Sequence, residues 1–77
     1  MAEIFKEFVA LLADQFEKDE SEITESTTLQ DLGADSLDVM DLGMDVKEKW
    51  DVEIKREDLN KLVTVKDFVN YIQEKKS

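Results

Sequence analysis

No cysteine and no histidine occur in these 77 residues. Their absence excludes a disulfide framework, a thiolate metal site, Ser-His-Asp and Cys-His catalysis, and the usual zinc chemistry. Carboxylates remain for acid–base work, but a stand-alone enzyme is not expected. Proline is missing too, and glycine occurs only at Gly33 and Gly43. Long apolar runs are also lacking. Glu3, Lys6, Glu7 and Asp14 interrupt the N-terminal apolar residues, so these read as neither a signal h-region nor a membrane span. The expected compartment is the cytoplasm. The length fits one domain, residues 1–77. Its core is thin, since a domain of about 60 residues buries only about 60% of its unfolded surface.

What the chain has in excess is acid. Ten basic residues face 20 acidic ones, for a net charge of −10. Residues 19–46 hold nine of the acids and no base, whereas residues 47–77 hold seven acids and eight bases. Such a chain avoids nucleic acid and anionic membranes, and suits partners with basic patches. An acidic run of this kind is, by itself, most simply a solvated face.

Periodicity predicts an all-α chain of three main helices and one short one, with a long loop between the first two. Residues 3–17 read as an amphipathic core helix, with Ile4, Phe5, Phe8, Val9, Leu12 and Phe16 at i, i+3 and i+4 spacings. Residues 18–35 read as a loop, pinned by Ile23, Leu29 and Leu32 and holding a helical turn within 24–30. Residues 36–50 form the second helix, capped by Asp35 or Ser36. Leu42, Val46 and Trp50, with Val39, make one stripe. Leu37, Met40 and Met44 make another, bordered by Asp38, Asp41, Asp45 and Glu48. A small bundle rarely buries two broad stripes of one helix. The second is therefore expected in solvent, as a docking surface. Gly43, inside this helix, costs about 1 kcal/mol relative to Ala unless a neighbouring backbone needs the space.

Residues 51–55 alternate like a short strand or an extended connector, and 56–61 fit a short helical turn that places Leu59 and Leu62 inward. The last helix carries the clearest signals. Thr64 and Asp67 have capping-box spacing, Val63 and Phe68 stand at staple positions, and Val65, Phe68, Val69 and Ile72 follow the helical period.

One segment stands out chemically: Asp31-Leu32-Gly33-Ala34-Asp35-Ser36-Leu37-Asp38. It sets a serine at a helix start just after a glycine turn. A phosphate ester on that hydroxyl would lie near free N–H groups and the positive end of the helix dipole. On physical grounds alone, a capping serine is the better reading of the residue. The same eight residues resemble the prosthetic-group attachment motif of acyl carrier proteins. The resemblance continues through Lys49-Trp50-Asp51-Val52-Glu53-Ile54, Leu62-Val63-Thr64-Val65 and Tyr71-Ile72.

The resemblance implies an all-α four-helix bundle with a short third helix and a long loop between helices one and two, in which Ser36 bears a covalent 4′-phosphopantetheine arm, delivered from coenzyme A by a phosphopantetheinyl transferase. Mg²⁺ is needed only for that reaction, and no metal site is implied in the chain. The arm's thiol would carry acyl intermediates as thioesters between enzymes of fatty-acid or related polyketide and lipid biosynthesis. The protein would be a monomeric carrier without catalytic residues. Asp35, Asp38, Asp41 and Glu48 would meet basic docking patches, and Leu37, Met40 and Met44 would make the apolar contacts. Val39, Leu42, Val46, Leu59, Leu62 and Phe68 would line a cavity for the acyl chain.

Some positions depart from the family pattern. Lys47 and Lys49 stand where acids are usual, Gly43 where a branched apolar residue is usual, Asp45 where a small apolar one is common, and Lys55 where proline is frequent. These bear on pathway and cargo. Peptidyl, aryl or D-alanyl carriage keeps the same chemistry with another cargo. An unmodified acidic adaptor, or a mimic of nucleic acid, would use the charge alone. The spacing of Asp31, Asp35 and Asp38 does not follow an EF-hand calcium loop.

Overall fold

A computed structural model of the chain describes residues 2–76. Its elements are α1 (Ala2–Phe16), a single 3₁₀ turn (Glu20–Glu22), α2 (Ser36–Trp50), α3 (Arg56–Leu59) and α4 (Val65–Lys76). The described residues contain no strand, and a lone antiparallel bridge joins Thr28 to Thr64. No helix is long and apolar enough to cross a membrane.

The apolar stripe of α1 sends Phe8, Val9 and Leu12 into the core, with Ile4, Phe5 and Phe16 packed at its edge. Phe8 is the hub. Its ring stacks on Phe68 of α4 at 5.3 Å between centroids and tilts against Trp50 of α2 at 6.3 Å. The indole N–H of Trp50 donates to Glu7 at 3.2 Å, so the wet edge of this buried ring finds a partner on α1. α1 ends without glycine or proline. Glu17 takes the left-handed conformation (φ 53°), and the Lys18 N–H closes the last turn on the Ala13 carbonyl.

The long loop is held as the apolar pattern predicts, with Ile23 and Leu29 buried and Leu32 packed against the core. It is held by backbone as well. The N–H groups of Val65 and Lys66, which the first turn of α4 leaves without helical partners, donate to the carbonyls of Thr27 and Glu25. The helical turn lies earlier than the sequence pattern suggests. It falls at Glu20–Glu22, where Asp19 and Glu22 form a capping box, and residues 24–30 hold turns and the bridge instead.

α4 begins as its sequence predicts. The Thr64 hydroxyl accepts from the Asp67 N–H, and the Asp67 carboxylate accepts from the N–H groups of Val63 and Thr64, each at 3.1 Å. Of the staple pair, Phe68 is wholly buried while Val63 stays 54% exposed. Residues 51–55 are the extended connector, not a strand, with Val52 in the core. Short α3 is tied to α4 by the Tyr71 hydroxyl, which donates to Asp58 at 2.9 Å. Burial is the main cause that raises the Tyr71 pKa above its ordinary value, and the bond to Asp58 adds to it.

Candidate functional site

Ser36 is the first residue of α2, and three local devices set it there. Thr28 and Asp31 bond each other's backbone N–H through their side chains, at 3.0 and 3.1 Å. Gly33 then reverses the chain at φ +76°, a conformation that costs a side-chain-bearing residue about 1–2 kcal/mol. Asp35 caps the helix, accepting from the Asp38 N–H at 3.0 Å, and Asp38 returns the bond to the Asp35 N–H at 3.1 Å. Of the two expected caps, the aspartate does the capping. Ser36 is left exposed, and its hydroxyl has no hydrogen-bond partner among the described residues. Gln15 of α1 fixes this end of α2 by donating to the Asp38 carbonyl at 3.2 Å.

From Ser36 the helix presents a face unlike its buried side. Leu42, Val46 and Trp50 are buried, whereas Leu37, Met40 and Met44 are 70%, 52% and 67% exposed. Beside them, Asp14, Asp38, Asp41, Asp45 and Glu48 line a groove of about 630 Å³ between α1 and α2, with no base on its wall among the described residues. The Asp45 pKa is raised, first by burial and then by repulsion from Glu48 and Asp41. No group of acids among the described residues is arranged to hold a metal ion.

On its other side α2 faces α3 across two adjoining grooves. The first, about 730 Å³, runs from Ser36 and Asp35 past Val39 to Arg56, Leu59 and Leu62. The second, about 550 Å³, lies over Gly43, Met44, Ile54 and Leu59. Met40, Arg56 and Leu59 belong to both. Gly43 admits no close backbone, because a Cβ there would meet nothing within 4 Å. Its missing side chain simply leaves the groove open.

The structure therefore divides the residues expected to line an acyl cavity. Val39, Leu59 and Leu62 stand on the groove that begins at Ser36. Leu42, Val46 and Phe68 are wholly buried in the core and reach none of these grooves. Helical period assigns a residue to a face, but not the neighbour that face meets. Ile54 and Arg56 line the grooves without having been singled out for it. Ile54, alternating with buried Val52, carried a weak signal, and Arg56 carried none.

The exposed hydroxyl and its groove fit a phosphopantetheine arm. The groove lies within the roughly 300–1,000 Å³ of small-molecule sites. It offers apolar wall for the arm, and the cap leaves the Ser36 and Leu37 N–H groups at the helix head for a phosphate.

Comparison with known proteins bears on the family of the chain. Residues 6–72 match the family model described as "Phosphopantetheine attachment site". The chain is 43% identical over 74 residues to an acyl carrier protein of Thermotoga maritima, covering 95% of this chain and 91% of that one. It is 46% identical over 71 residues to an acyl carrier protein of Campylobacter lari, covering 91% and 92%. Its fold is similar to the crystal structure of an acyl carrier protein from Thermotoga maritima. The TM-score is 0.80 at 30% identity, covering 96% of this chain and 87% of that one.

Proposed function

The chain belongs to the acyl carrier protein family, and on that premise we propose that Ser36 is its attachment residue and fatty-acid synthesis its pathway. The phosphopantetheine-attachment domain of acyl carrier proteins carries covalently bound 4′-phosphopantetheine. When bound, the arm supplies the thiol that this chain lacks, for carriage of acyl groups as thioesters. The observation that carries the assignment is the exposed, unpartnered Ser36 hydroxyl at the head of α2.

The chain's own residues position that hydroxyl and do not activate it. No histidine exists, and the flanking Asp35 and Asp38 carboxylates are engaged in the capping box. The base that takes the serine proton must come from a phosphopantetheinyl transferase. The protein is then a carrier and not an enzyme. It is a cytoplasmic monomer that passes between enzymes bearing basic patches. Asp41 and Glu48, with the free carboxylate oxygens of Asp35 and Asp38, attract those patches. Leu37, Met40 and Met44 supply the apolar contact, a polar-rimmed arrangement usual for docking surfaces. The acyl chain lies along the α2–α3 side, against Val39, Leu59 and Leu62.

Intact mass after incubation with coenzyme A, Mg²⁺ and a broad-specificity transferase tests this. One phosphopantetheine increment is expected on the parent and none on Ser36→Ala. A folded parent that gains no mass would be an unmodified acidic adaptor, with Ser36 an ordinary helix residue.

A further inference from the structure

We infer that Arg56 is the chain's internal counter-ion for the phosphodiester on Ser36, holding the arm against the α2–α3 groove; this rests on Ser36 being the attachment residue. A phosphodiester at that position adds negative charge to a stretch, residues 19–46, that already holds nine acids and no base. Asp31, Asp35 and Asp38 stand within five residues of it in the chain. The compensating charge comes from across the groove. Arg56 and Ser36 line the same 730 Å³ space, and among the described residues Arg56 is the one cation on its wall.

Nothing else accounts for Arg56. No carboxylate among the described residues lies within ion-pair distance of it, and Lys47, which shares the second groove with it, pairs with Asp51 instead. It is exposed, at the first position of α3, where a cation opposes the helix dipole. Its side chain is free to turn into the groove. The planar guanidinium offers two parallel N–H groups to two phosphate oxygens, a match that an ammonium does not make. The apolar floor at Val39, Leu59 and Leu62 lowers the local dielectric beneath that pair and strengthens it.

The test uses loaded protein, verified by mass, as parent, Arg56→Gln, Arg56→Lys and a charge-matched control, Lys61→Gln, which lies off this groove. Phosphorus NMR reads the diester directly, and thermal melting reads its coupling to the fold. Arg56→Gln should shift the phosphorus resonance and cut the change in Tm on loading by about 1–4 °C. Arg56→Lys should fall between, and Lys61→Gln should match the parent. The differences should fade at high salt. Equal phosphorus shifts in parent and Arg56→Gln would overturn the inference, as would equal displacement by Arg56→Gln and Lys61→Gln. Failure of the parent to gain mass would overturn the Ser36 assignment itself, and this inference with it.

Discussion

Helix α4 turns Val65, Phe68, Val69 and Ile72 into the core, whereas α2 buries Leu42, Val46 and Trp50 and leaves Leu37, Met40 and Met44 in solvent. The caps are alike: Thr64 with Asp67 at one helix, Asp35 with Asp38 at the other. The difference lies in what each helix does with its remaining surface. α4 has one apolar stripe and an exterior of mixed charge, so every strong feature serves the fold. α2 has a second apolar stripe, three acids outside its cap (Asp41, Asp45 and Glu48) and an interior glycine, none of which the fold requires. In a small domain, features that cost stability without packing against anything mark the working surface.

The comparison breaks most readily at α4. Phe68→Ala should lose about 3–5 kcal/mol in urea unfolding, because a fully buried ring leaves a cavity. Leu37→Ala on α2 should stay within about 0.5 kcal/mol of the parent. Next in size, Thr64→Ala should cost about 1 kcal/mol through loss of the cap. Gly43→Ala should gain about 1 kcal/mol, since its Cβ enters open space. The expected price of that gain is a narrower groove over Met44 and Ile54.

The smallest effects have opposite signs on the two helices. The Asp45 carboxyl on α2 binds its proton more readily in the fold than in the unfolded chain. It therefore favours the fold below its ordinary 3.8, and that contribution is lost as pH rises through the raised value. Asp45→Asn should raise Tm at pH 7, with the advantage vanishing in acid. Asp67 on α4 is shifted down, chiefly by its bonds to the Thr64 and Val63 N–H groups. Its contribution is present above 3.8 and lost as pH falls through the lowered value. Asp67→Asn should lower Tm at pH 7, with the deficit fading in acid. Calorimetry of both variants across that range checks the signs.

Much of this was legible in the sequence where the signal is local. The α4 cap is written in two side chains three residues apart. The α2 boundaries follow from Asp35 and the apolar period, and the attachment motif is contiguous. What escaped is non-local or carried by backbone. The bonds from Val65 and Lys66 to Thr27 and Glu25 use carbonyls, which every residue has. Asp51 closes α2 in the left-handed conformation at φ 58°, where glycine would have been the usual marker. Arg56 and Ser36 line one groove although they stand 20 residues apart in the chain, and no periodicity connects them. The split of Val39 from Leu42 and Val46 depends on which helix each face meets.

The most direct test of α2 as the working face is the initial rate of transferase loading at low and high salt, for the parent, Asp41→Lys and Glu74→Lys. The two reversals change charge equally, one on α2 and one on α4. Near 0.01 M salt, where charges act over about 30 Å, Asp41→Lys should slow loading about tenfold or more, and Glu74→Lys far less. The gap should close near 1 M, where that range falls to about 3 Å. Equal rates for Asp41→Lys and the parent at low salt, or equal slowing by both reversals, would contradict the assignment of docking to this face.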